Sequence, residues 1–173
     1  MKHALTTILT LLLTSFASLA LAPKGFETAS IHIGYLSQET FGERISVHDL
    51  GDYIKHLQAI CSQFFVEATT PEDLSIVVVV KPEKRSRVWF VSSRAPTISE
   101  RRDDLRAELE AILPPVVHGG PIAFAIEGRI AGGHTKGKSK AGPPPVPSEW
   151  QDALSKLVEP APFDRVLPLI WPD

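Results

Sequence analysis

The stretch LSIVVVVK, Leu74 to Lys81, decides how this chain folds, together with the PEKRS and RVWFVSS that come after it, up to Ser93. Eight residues dominated by β-branched valine and isoleucine are too few for a free-standing helix. They crowd the preceding turn of a helix but fit a pleated strand. Pro82 to Ser86 supplies the turn and RVWFVSS returns as a second strand, so the region reads as a β-hairpin.

Upstream, TASIHIGYLS alternates Ile31, Ile33 and Tyr35 against Ser30, His32 and Gly34, the pattern of a half-buried strand. From Ser46 the period changes. Val47, Leu50, Ile54, Leu57, Cys61 and Phe64/Phe65 keep helical spacing, and Ser46 with Asp49 forms a capping-box start. Downstream, Thr97 and Glu100 form a second capping box, before a helix whose apolar face is Ile98, Leu105, Leu109 and Ile112. Pro114-Pro115 end it, and PIAFAIE reads as the last strand.

The order β-α-β-β-α-β predicts an α+β domain over residues 28–128, of the ferredoxin-like kind: an antiparallel sheet with two helices on one face. The rival is an open sheet whose last strand runs on through Arg129 and Ile130. Residues 129–147 are rich in Gly, Lys and Pro and read as a linker. Residues 148–173 read as a short helix capped by Ser148, then an irregular Pro-rich extension interrupted at Pro160, Pro162, Pro168 and Pro172.

The N-terminus, MKHALTTILTLLLTSFASLALAPK, has a basic start, an apolar middle and small residues two apart. That is the layout of a secretory signal peptide spanning residues 1–20, cut after Ala20; the alternative is an uncleaved membrane anchor. Export to a periplasm or beyond is therefore expected. Cys61 is the single cysteine, so no internal disulfide forms and the domain relies on its core. Asn is absent, and with it any N-glycosylation site.

The formal net charge of −2 carries no general affinity for nucleic acid. GGHTKGKS, Gly132 to Ser139, matches G-x-x-x-x-G-K-[ST], but three prolines come within a few residues of it, where a phosphate loop needs a helix N-terminus. No nucleotide and no other cofactor are expected. His48, Asp52 and His56 lie at four-residue steps on the first helix, too spread along its axis to converge on one metal ion. Cys61 lies on that helix's apolar side, where burial suppresses a thiolate. No G-x-S-x-G is present, so no catalytic or metal-binding residue is assigned.

Two accessible elements point to binding instead. One is a basic strap, Arg129, Lys136, Lys138 and Lys140, suited to an acidic protein or an anionic envelope surface. The other is the apolar tail with Leu169, Ile170 and Trp171, which either docks in a partner or covers its own sheet. The expectation is a small exported, non-catalytic interaction protein, of the inhibitor, immunity or envelope-assembly type, with another envelope or secreted protein as partner. The alternative is a periplasmic hydrolase located at His48, Asp52 and His56.

Overall fold

The computed structural model describes residues 25–92, 101–133, 144–157 and 162–172. The leader, the second capping box (Thr97, Glu100), and Lys136, Lys138 and Lys140 lie outside these residues. Four strands form one antiparallel sheet: β1 (Phe26–His32), β2 (Glu72–Lys81), β3 (Arg85–Ser92) and β4 (Ile122–Ile130). Five α-helices accompany it among the described residues: α1 (Gln38–Arg44), α2 (Val47–Phe64), α3 (Arg102–Glu110), α4 (Gln151–Leu154) and α5 (Phe163–Ile170). None of them is long and apolar enough to cross a membrane.

The hairpin forms as its residues demand. Lys81 pairs with Arg85 across a three-residue loop, with Pro82 opening the turn and Lys84 at φ 57°, closed by Lys84 N–H donating to the Lys81 carbonyl at 3.2 Å. Ser46 caps α2 by accepting from the Asp49 N–H at 3.1 Å. Helix α1, unforeseen in the sequence, has only Phe41 buried and is capped by Ser37.

The strand order is β1-β4-β2-β3, so β4 and β2 occupy the centre. A ferredoxin-like sheet instead places its first and third strands there, and the expected topology therefore gives way to this one. Side-chain chemistry explains the order. Over Ile76 to Val80 in β2 and Ile122 to Ile126 in β4 the two strands are apolar on both faces and fully buried. β1 carries Ser30 and His32, and β3 carries Arg85 and Arg87; with no comparable run apolar on both faces, these strands take the edges.

One face of the sheet packs on α2 and α3. Ile76, Val78, Val80, Phe124 and Ile126 meet Leu57, Cys61, Leu105 and Leu109, all at or near zero exposure. The other face, presenting Val77, Val79, Trp89, Ala123 and Ala125, is covered by the C-terminal segment through Trp150, Phe163, Leu167 and Trp171. Trp89 packs edge-on against Trp150, ring centroids 5.2 Å apart. The tail is more regular than its prolines imply. α5 accommodates Pro168 because a proline in the second half of an eight-residue helix removes a single backbone bond, and its register puts Phe163 and Leu167 on the sheet side and buries Val166. Ser148 sits inside a single 3₁₀ turn (Ser148–Trp150) that precedes α4, not at its cap.

Among the close approaches that require glycine, two position a neighbouring side chain. A Cβ on Gly128 would lie 2.1 Å from Cζ of Phe26, whose ring covers the strand there. Gly120, at φ +139°, leaves room for the Arg44 guanidinium, which donates to the Pro121 carbonyl at 2.7 Å and grips Asp164 with two 2.8 Å bonds.

Gly128→Ala should therefore destabilise the fold by about 1–3 kcal/mol through overpacking. In a Phe26→Ala background the same change should cost far less. Urea denaturation of the two single variants and the double variant checks this; additive effects would contradict the close approach.

Candidate functional site

The covered half of the second face ends at Ala125 and Val77. Beyond it the sheet continues as two polar rows. The first sets Ser30 opposite Glu127 opposite Ser75, and the second sets Glu27 opposite Arg129 opposite Asp73. A β-bulge in β1, between Thr28 and Ser30, makes this possible. Strand alternation alone would put Ser30 on the opposite face from Glu27; the extra residue, Ala29, swaps the parity and brings both to the same face.

Ser30, His32 and Glu127 form a tight cluster. The Ser30 hydroxyl donates to Glu127 Oε2 at 2.7 Å, and His32 Nε2 lies 3.0 Å from that same oxygen and 3.1 Å from Ser30 Oγ. These residue types suggest a nucleophile relay, but the geometry is that of a clip. A relay needs the serine on one ring nitrogen and the acid on the other. Here both contact Nε2, and the serine proton already points to the carboxylate. Burial works to raise the Glu127 pKa, but the hydrogen bonds from Ser30 and His32 and the nearby imidazole outweigh it, so the carboxyl is held below its usual range. Tyr35 borders the cluster; burial first and the Glu127 charge second push its phenol up, and its hydroxyl donates to the Pro145 carbonyl.

Beside Glu127 the surface sinks into a cavity of about 260 Å³ between β2, β3 and β4, whose polar lining includes Asp73, Ser75, Ser92 and Glu127 and whose walls include Leu74 and Val91. Glu72, buried behind it, accepts from the Ser92 hydroxyl. A second cavity of about 240 Å³ separates the hairpin tip from α5.

The residues singled out in the sequence are dispersed. Arg129 belongs to β4 and not to a linker: paired with Glu27 at 2.8 Å, it completes the last row but one of the strand. Trp171 is buried, with Lys81 at 4.6 Å and Arg85 and Arg87 just under 6 Å from its ring. The basic hairpin tip is thus engaged with the tail. Ile170 is half-buried and Leu169 exposed. On α2, His48 lies 3.3 Å from Asp52, which also binds Lys55, and both histidines are exposed; none of them lines either cavity. Cys61 is fully buried and burial pushes its thiol up to about 12. Among the described residues no group of three metal-ligating side chains occurs. β4 runs antiparallel to both neighbours as it enters Gly132, unlike the parallel sheets that seat phosphate loops.

The Ser30–His32 half of the cluster is visible in the alternation of β1; Glu127 is supplied by strand register 97 residues away, and no local pattern signals it. Comparisons with family models, curated proteins and solved structures return no match.

Because the folded Glu127 carboxyl is held below the unfolded value of about 4.3, its contribution to stability is complete above that pH and is lost as pH falls through the folded value. Melting temperatures between about pH 5.5 and about pH 3 should therefore fall more steeply for the wild type than for Glu127→Gln. Parallel curves would show that the clip adds nothing.

Proposed function

We propose that this chain is a small exported interaction protein without catalysis of its own, acting in the periplasm or envelope as an inhibitor, immunity or assembly-accessory protein. The uncovered end of the second sheet face is the surface it presents. One observation carries this reading. The sheet's polar rows stay open beside the cavity, while the one cluster of nucleophile, imidazole and carboxylate on them, among the described residues, is closed on itself as a clip. A rigid sheet carrying fixed charges at its surface recognises partners through complementarity and needs no moving chemical group. The N-terminal layout supports delivery outside the cytoplasm, and the basic stretch with Lys136, Lys138 and Lys140 would add a second, electrostatic contact to an anionic envelope surface.

The immobilised wild-type protein should retain a discrete partner from native envelope extract. Ser75→Arg, which sets a guanidinium over this face, should reduce retention by about tenfold with an unchanged circular-dichroism spectrum. Full retention by Ser75→Arg would move the interface elsewhere. No retained partner, combined with ester hydrolysis that Ser30→Ala abolishes, would replace the reading with an enzyme.

A further inference from the structure

The cavity beside Glu127 has a composition that specifies its occupant. Its described lining holds two carboxylates, Asp73 and Glu127, two hydroxyls, Ser75 and Ser92, and no basic side chain. Arg129, opposite Asp73 in the sheet, donates through one terminal nitrogen to Glu27 and makes no hydrogen bond to Asp73, and its Nε is shielded from solvent without a hydrogen-bond partner. Asp73 Oδ1 is shielded from solvent and has no hydrogen-bond partner. Glu127 spends Oε2 on Ser30 and His32 and leaves Oε1 without a protein donor among the described residues. Two carboxylates thus line one hollow that has no basic side chain in its described lining, with His32 and Arg129 beside it rather than in it. A buried acceptor in that state costs about 1–3 kcal/mol until a donor arrives.

We propose that this cavity binds an alkylammonium or guanidinium cation, with the charged head between Asp73 and Glu127 and the alkyl stem along Val91. Such a ligand brings only donors, which is what these acceptors lack, and its stem suits the apolar wall as the stems of Lys and Arg side chains suit protein surfaces generally. Size points the same way. A volume of about 260 Å³ lies below the roughly 300–1,000 Å³ of pockets for drug-sized molecules, so it takes a side chain or a short amine. Carboxylates and phosphates are excluded by the like charges. The cation comes either from a Lys or Arg of a partner polypeptide or from a free small amine. The first source rests on the proposed interaction role and the second does not.

Titration of the full-length mature protein, followed by amide chemical shifts, separates these. The probes are n-butylammonium, ethylguanidinium, n-butanol as the neutral control, and blocked peptides carrying one central Lys, Arg or Gln. Saturable shifts confined to residues 73–75, 91–92 and 127–128 are expected with the cations and absent with butanol. Glu127→Gln and Asp73→Asn should each weaken binding by about five- to tenfold, and Ser75→Arg should abolish it by filling the hollow. Lys and Arg peptides binding more tightly than the free amines would assign the source to a polypeptide; the reverse would assign it to a metabolite. Equal shifts with butanol, no saturation with any cation, or unchanged affinity in both carboxamide variants would overturn the site. The two readings fail separately. An envelope partner that Ser75→Arg releases, with no cation binding, overturns only the cationic chemistry. Cation binding with no captured partner keeps the site and removes the interaction role.

Discussion

The central strands of this protein cannot tolerate water on either side. The usual alternation of apolar and polar residues is missing from the middle of β2: Ile76, Val77, Val78, Val79 and Val80 are all fully buried, and Ile122 to Ile126 in β4 match them. A sheet built on two such strands must be covered twice, and each valine left exposed would forfeit about 1.5 kcal/mol or more. The helices α2 and α3 satisfy one face. The other is satisfied by chain that returns after the last strand, which is why Trp150, Phe163, Leu167 and Trp171 are buried at positions that a free tail would expose. A single cysteine makes the double cover more important, since no covalent staple within the chain compensates for a thin core.

The edges are managed by side chains from the same helices. On β3, the Val88 N–H donates to Glu110 at 2.8 Å and the Val88 carbonyl accepts from Arg106 at 3.2 Å, so α3 blocks the backbone groups another strand would use. On β1, Ser62 of α2 donates to the Phe26 carbonyl at 3.1 Å, and the bulge at Ala29 breaks the regular edge three residues further along. Two charges of α3, Arg106 and Glu110, thus serve as edge guards.

Three of the strands, the long helix with its Ser46 cap and the buried state of Cys61 are legible in the residues, because each arises from a local period or a local hydrogen bond; the first strand is found only in outline, since it ends at His32 and exposes Ile31. Strand order is not local. It depends on which strands are apolar on both faces, and the run from Ile76 to Val80 signals that more clearly than the element order suggests. Pro168 reads as a helix breaker, yet one missing backbone bond near the end of α5 is outweighed by the burial of Phe163, Val166 and Leu167. Within the candidate site, Ser30 and His32 share a face by alternation. Their meeting with Glu127, and the parity swap that brings Glu27 alongside, come from register and a bulge that no short-range pattern encodes.

The boundary between cover and open surface on the second face has the same physical origin as the cover itself. The tail packs as far as Ala125 and Val77, the last apolar row, and stops where Glu127, Arg129 and Asp73 begin. Extending an apolar cover across those groups would desolvate charges without offering partners, at a cost of several kcal/mol per ion. The ion pairs that hold the tail, Arg44–Asp164 and Arg102–Glu149, lie at its rim where one partner of each is well exposed, so they orient the segment while aromatic burial retains it. A face divided in this way needs no second device to keep its polar end accessible. The charges that repel an apolar cover are the ones left to meet a ligand able to pair with them.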